Sequence, residues 1–293
     1  MLSKTSAMSR PPGRPPRRLS ARERMAAERA ARQRAVRRRR ILIALGSVTA
    51  VLATVVTLVT VSLTSSPAHL TASESVAPAA VVKQVTTVPA SMLTQVNPGR
   101  VATSLHQVAA SGPPLTADGK PVIEFVSEES CPFCAAERWP LTVALSHFGD
   151  WSQLGITKSA ATDIFPNTAT LSFRSARYRS SQLTLHTTEL TDNAGHALQS
   201  PTALARQLIG QFDVPPYVNS ADQSGAVPFL DIGNRYILAG AQFDPQVLAG
   251  LSATQIAAQL RDPASPVAQA IDGSANVIIA AINHVLHDQG GQG

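Results

Sequence analysis

The chain has 293 residues, 44% hydrophobic, 15% charged and only 4% aromatic, so it can build a folded core, and that core is aliphatic and alanine-rich. Its net charge of +6 is local: residues 1–40 hold fourteen of the 25 basic residues and two of the 19 acidic ones, leaving the remainder net acidic. A basic face running over the folded part is therefore excluded, and no nucleic-acid partner is expected.

Residues 1–19 are rich in Pro, Arg and Ser and too polar to fold alone. SARE at 20–23 has the pattern of a capping box, with Ser20 and Glu23 serving the first amides of a helix. Glu28 and Arg32 form an i,i+4 pair along it. Directly after Arg37 to Arg40 comes ILIALGSVTAVLATVVTLVTVSL, residues 41–63, without charge or proline. At about 1.5 Å per residue this run reaches about 34 Å, enough to cross a hydrocarbon core of about 30 Å. A cleaved signal peptide would carry a shorter apolar run, about 7–15 residues, behind a shorter basic segment. The expectation is an uncleaved, single-pass transmembrane helix in a plasma membrane. Residues 1–40 form a cytoplasmic Arg-rich tail, and everything after residue 64 lies outside.

Residues 64–88, rich in Ser, Thr, Ala and Pro, read as an extracytoplasmic linker. The folded domain is expected over 89–287, opening with a short helix in PASMLTQV, 89–96. ADGK, 117–120, is a turn and PVIEFV, 121–126, an apolar strand. The helical stretch CPFCAAERWPLTVALSHFG follows, and Pro140 is expected to kink it or end it early. ATLSFRSARY, 169–178, and QLTLHTTEL, 182–190, read as strands. SPTALARQLIGQF, 200–212, reads as a helix capped by Ser200 with Pro201 at its first position. VPFLDIGNRYILAG, 227–240, reads as a hairpin turning at Gly233-Asn234. Residues 244–260 and 274–286 are helical by apolar spacing, and 288–293 form a disordered tail. This order of elements asks for an α/β layered domain with a mixed sheet flanked by helices.

The chain's two cysteines, Cys131 and Cys134, stand two residues apart at the start of a helix. There the first sulfur faces unsatisfied amides and the positive end of the helix dipole, which stabilise its thiolate. The thiolate is the attacking species in thiol–disulfide exchange, and a second thiol one turn further in can resolve the mixed disulfide. Cys131 is thus the candidate nucleophile and Cys134 the resolving partner, the two joined as a disulfide in the oxidised state. Pro132 and Phe133 between them tune the pair. Three other readings stand beside this one. A metal site would need further ligands, for which His147, His186, His284 and His287 are available. An inert structural disulfide would close a loop of a few residues and remove little entropy from the unfolded chain. Two unused thiols are the third. Outside the membrane, use of the pair is the most economical reading.

With the strand before it, the helix after it and AVPFLDIGNRYILAG further on, the Cys-x-x-C resembles the thioredoxin superfamily. The resemblance implies that Pro228 is a cis proline beside the cysteines and that Val227, before it, pairs with bound substrate. A second, closer resemblance lies in residues 128–185. The segment Cys131 to Trp139 (CPFCAAERW), Phe148-Gly149 and Asp163 to Thr168 (DIFPNT) are similar to the family named domain of unknown function 929. That resemblance implies a membrane-anchored, extracytoplasmic, thioredoxin-like protein without an assigned activity. One departure concerns the buried acid that such redox proteins often carry six residues before the first cysteine. Glu124 stands seven before Cys131. A proton relay through Glu124 requires an extra loop residue to restore its placement.

The expected function is a membrane-anchored, extracytoplasmic thiol–disulfide oxidoreductase of a bacterial cell. Its partners are protein thiol or disulfide clients and a membrane redox partner that recycles the pair, and no metal or organic cofactor is required. The alternatives are a non-catalytic binding scaffold with an inert disulfide, and a metal-binding chaperone.

Overall fold

A computed structural model describes residues 74–108, 114–218 and 225–290. The Arg-rich tail, the apolar run 41–63 and the first part of the expected linker lie outside the described residues. Among those described, no helix is long and apolar enough to cross a membrane. The described residues fall within one compact unit.

The fold begins earlier than the expected linker allows. Strand β1 (Ser75–Val76) pairs with a later strand, and helix α1 (Ala79–Thr86) follows it. Val81 and Val85, four apart on α1, are both fully buried in the main core. Within a stretch whose Ser, Thr, Ala and Pro content suggests a tether, these valines thus supply the apolar stripe of a packed helix. Helix α2 (Ala90–Val96) begins after Pro89, as its sequence predicts.

The main sheet is built on strand β4 (Lys120–Ser127), buried along nearly its whole length. Its antiparallel neighbour β10 (Phe229–Ile232) pairs in turn with β11 (Tyr236–Ala239), and the short β2 (His106–Gln107) lies beyond. On its other side β9 (Thr184–Glu189) runs parallel to β4, while β3 (Thr116–Ala117) forms a hairpin onto its start. The hairpin β10–β11 turns through Gly233 and Asn234, both at positive φ (61° and 55°), and Asp231 Oδ1 accepts the Asn234 amide at 2.9 Å.

Alternation along the strands divides the core. Ile123, Phe125, Leu230 and Leu238 face one side, against Trp139, Leu141 and the long C-terminal helix. Val126, Phe229 and Ile237 face the other, against Ala205, Leu208 and Phe212 of helix α4 (Ala203–Phe212). The result is a mixed α/β architecture with helices on both faces of a central sheet.

Helix α3 (Pro132–Leu145) carries the cysteines and continues past Pro140 rather than ending there. Every residue of α3 except Phe133 is buried. Packing on all sides outweighs the one hydrogen bond that proline removes, a loss of about 3 kcal/mol in an unsupported helix. A small antiparallel sheet of β1, β6 (Gly155–Lys158) and β7 (Ala169–Ser172) braces this helix: Trp139 Nε1 donates to the Ala169 carbonyl and Thr170 Oγ1 to the Ala135 carbonyl. The single expected strand 169–178 is in fact two. β7 ends at Ser172 and β8 (Arg177–Arg179) pairs with β5 (Asp150–Ser152) instead.

Three boundaries differ from those expected. Helix α4 is capped by Thr202, whose Oγ1 accepts the Ala205 amide at 3.0 Å, rather than by Ser200; either hydroxyl suits the position. The helical stretch 244–260 divides into a 3₁₀ turn (Pro245–Leu248) and helix α5 (Ala253–Gln259), because Ser252 and Gln255 close a capping box between them. The last helix, α6 (Pro266–Gly290), starts eight residues before the expected 274 and takes in residues 288–290 of the expected disordered tail. Gly273 inside α6 is required by space: a Cβ there would lie 2.6 Å from the Pro98 carbonyl oxygen.

Candidate functional site at the Cys131–Cys134 pair

Cys131 is the N-cap of α3, with extended backbone (φ −80°, ψ 124°), and its Sγ accepts the Cys134 amide at 3.2 Å. Pro132 occupies the first helical position, where a missing amide leaves nothing unsatisfied. Cys131 is partly exposed and Cys134 fully buried, and both are free cysteines. The Glu128 amide donates to Cys134 Sγ at 3.4 Å.

Two neighbouring sulfurs thus have opposite tendencies. The hydrogen bond from the Cys134 thiol, joined by the Cys134 and Phe133 amides and the Arg138 charge, holds Cys131 below the ordinary thiol range despite partial burial. Burial pushes the Cys134 thiol well up, and its hydrogen bond to Cys131 adds to the rise. In the reduced pair the negative charge therefore belongs to Cys131, the sulfur that a visitor can reach.

Across from α3, Val227-Pro228 is a cis peptide bond, and the Cys131 thiol donates to the Val227 carbonyl at 3.6 Å. Phe133, 39% exposed, stacks edge-on against Phe165 with ring centroids 5.8 Å apart. Ile164, next in sequence, is 73% exposed. A cavity of about 320 Å³ opens beside the pair, lined by Phe133, Tyr217, Val227, His106 and the backbone around Gly240. Cys131, Pro132, Phe133, Val227 and Pro228 are therefore brought together at one place.

Glu124 is not with them. It is fully buried on β4, its Oε2 3.1 Å from His186 Nδ1 on β9, and its cross-strand neighbour on β10 is Asp231. Burial raises its pKa, with the His186 contact working against the rise. Strand alternation turns Glu124 to the same side as Val126, the face packed on α4, so the extra residue in the loop does not restore a relay position.

The sequence suggests that Glu137 and Arg138 pair within the domain, but it does not show that both are buried or that the partner of Arg138 is Glu189. Arg138 and Glu137 are adjacent on α3 but do not pair with each other. Arg138 is fully buried and joined to Glu189 on β9 by two hydrogen bonds, Nε to Oε1 at 2.8 Å and Nη2 to Oε2 at 2.5 Å. Glu137, also fully buried, accepts the Gln242 amide at 3.0 Å, and burial raises its pKa to about 8. The loop acid Glu129 is buried as well, accepting from Ser172 Oγ at 2.7 Å, with burial raising its pKa. The position of Arg138, four residues after Cys134, was a usable signal; Glu189 offered none.

The histidines available for a metal do not join the cysteines. His284 approaches Asp288 and His186 contacts Glu124. Among the described residues no group of three or more His, Cys, Asp or Glu side chains is arranged to hold a metal ion.

Fold and site together define a mixed α/β domain with a Cys-x-x-C at a helix N-terminus, its first sulfur partly exposed and its second buried. The chain belongs to the family described as domain of unknown function (DUF929), which matches residues 106–284 and so takes in α3, both cysteines and the β10–β11 hairpin. Comparison with curated proteins and with solved structures finds no match.

Proposed function

We propose that this protein is a thioredoxin-like thiol–disulfide oxidoreductase that exchanges disulfides with protein clients outside a bacterial plasma membrane, anchored there by residues 41–63. One observation carries the reading. A partly exposed Cys131 thiol sits at a helix N-terminus under the Cys134 amide and 3.6 Å from the Val227 carbonyl, with its partner thiol sealed behind it. An inert structural disulfide needs neither the exposure of one sulfur nor the difference in acidity between the two.

The Cys131 thiolate attacks one sulfur of a client disulfide. The client S–S bond breaks, a Cys131–client disulfide forms, and one client thiolate leaves and takes a proton from solvent. Cys134 then gives up its proton, and its thiolate attacks Cys131 Sγ. The mixed disulfide breaks, the Cys131–Cys134 disulfide forms, and the second client thiolate leaves and is protonated. The client gains two electrons and two protons; the pair gives up the two electrons and the Cys134 proton, and solvent supplies the second proton. Run in reverse, the same steps oxidise a client dithiol. Repeated turnover takes a dithiol or disulfide partner protein, in the membrane or beside it. The exposed Phe133 and Ile164 and the adjoining cavity favour clients with apolar residues near the reacting cysteine.

Equilibrating the full chain with a graded thiol–disulfide buffer tests the proposal. A reversible transition at a potential above about −300 mV is expected; a pair that stays oxidised below that range behaves as a structural disulfide and leaves only a binding scaffold.

A further inference from the structure

Arg138 is the largest buried charge near the pair, and its surroundings have an order that structural support alone does not require. It stands four residues after Cys134, hence on the same face of α3 one turn further in. Two of its nitrogens are committed to Glu189, and Nη2 also reaches Ser127 Oγ at 3.3 Å. Ser127 Oγ donates to Glu189 Oε2 at 2.9 Å. The residue after Ser127 is Glu128, whose amide meets Cys134 Sγ. The guanidinium thus holds the end of β4 from which that amide is presented. Its third nitrogen, Nη1, is buried without a hydrogen-bond partner.

A buried ion pair does not in itself favour folding over an apolar pair of similar volume. Both thiols need a positive field at different moments: Cys131 when it attacks, Cys134 when it resolves. Cys134 is fully buried, so solvent cannot stabilise its thiolate. The helix dipole acts mainly at Cys131, on the cap. The fold therefore has to supply a cation behind the helix start, and among the described residues the buried guanidinium of Arg138 is placed to do it.

We infer that Arg138, clamped by Glu189, is the positioning cation of the exchange reaction: it supplies from behind α3 the field in which Cys131 and then Cys134 carry a thiolate. The inference rests on the proposed exchange function. The direction of its effect agrees with the acidity of the pair, since the Arg138 charge lowers the pKa of both cysteines. The other titratable groups in this region are acids: Glu128 and Glu129 in the loop, Glu137 beside Arg138 on α3 and Glu189 on β9. Their presence makes the guanidinium necessary, because negative charge in the loop opposes a thiolate.

The test uses the reduced full chain and the pH dependence of Cys131 alkylation by iodoacetamide. Arg138→Met with Glu189→Met replaces the ion pair by an apolar one of similar volume, leaving no unpaired buried charge. The midpoint is expected to rise by about one pH unit, so that alkylation at pH 7 slows about tenfold. Arg138→Lys, which keeps the charge, is expected to restore most of the rate. Glu189→Gln, which leaves the cation and removes its counter-charge, should lower the midpoint, and it serves if the double variant does not fold. Midpoints unmoved in the folded variants overturn the inference and leave Arg138 a structural residue. Exchange with a disulfide-bonded peptide is followed separately in the unaltered chain. Failure there with the midpoint shifts intact rejects the exchange function and leaves Arg138 as the source of the field; exchange with unmoved midpoints rejects Arg138 alone.

Discussion

The Cys131 sulfur and the Val227 carbonyl oxygen lie 3.6 Å apart although 96 residues separate them along the chain. The contact joins the start of the cysteine helix to the entry of the β10–β11 hairpin, and it leaves one face of Cys131 open while Cys134 stays closed off.

That asymmetry sets the labelling pattern. In the reduced, folded chain at pH 7, iodoacetamide should modify Cys131 and spare Cys134, which should react only after denaturant is added. Peptide mass spectrometry reads both sites. Because the Cys134 thiol hydrogen bond holds Cys131 below the ordinary thiol range, its reaction should level off at a lower pH than that of a free cysteine, about 8.5. Equal labelling of both sites in the folded chain contradicts the described burial.

Phe133 presents apolar surface two residues from the reacting sulfur, and Ile164, next to the Phe165 ring that Phe133 packs on, is exposed as well. Phe133→Ala should lower kcat/KM about fivefold for a peptide disulfide flanked by leucines, the loss of roughly 1 kcal/mol of apolar contact. Alkylation of Cys131 by a small reagent should change little. A peptide flanked by serines is the control, and an equal loss for both peptides argues against client contact at Phe133.

Glu137 makes stability depend on pH. It is fully buried with a pKa raised from 4.5 to about 8, chiefly by burial. The folded state therefore holds this proton where the unfolded chain has released it, and stability falls as pH rises between 4.5 and about 8. Asp231 and Asp272, both raised to about 7 by burial, add to the same trend. Thermal melts should show Tm declining from pH 5 to pH 8, and Glu137→Gln should flatten the decline while raising Tm at pH 8. A variant that melts in parallel with the unaltered chain at every pH contradicts the raised pKa.

Gly233 combines φ of +61° with a tight neighbour, since a Cβ there would lie 2.6 Å from Val285 Cγ1. Gly233→Ala should destabilise the protein by about 1–3 kcal/mol, visible as a lower denaturant midpoint. A neighbouring exposed position such as Asp118→Ala in the β3–β4 turn lacks the packing term and should cost less.

Much of the fold was legible where local chemistry and burial agree. The apolar run PVIEFV, the Gly-Asn turn of the hairpin and the Pro-led start of α3 each have one strong local solution, and the chain adopts it. Reading failed where packing overrode local preference. Pro140 continues a helix because neighbours surround it, and residues 74–88 join the core because Val81 and Val85 find a place there that their sequence does not announce. At the site, Cys131, Cys134 and Val227-Pro228 were visible as motifs, but the buried charges were not. Glu124 departs by one residue from the spacing of a relay acid, and strand alternation turns it toward His186; the Arg138–Glu189 pair spans two elements 51 residues apart and has no local signature.

The central claim is that Cys131 attacks and Cys134 resolves. Its most direct test is the Cys134→Ser chain, reduced and mixed at pH 7 with a disulfide-bonded peptide of apolar flanks. A covalent adduct of one peptide per chain, attached at Cys131 and lost on adding a reducing agent, is the predicted result, with the unaltered chain instead releasing reduced peptide and forming its own disulfide. If neither chain reacts faster than an unstructured cysteine peptide, the pair is not a redox centre.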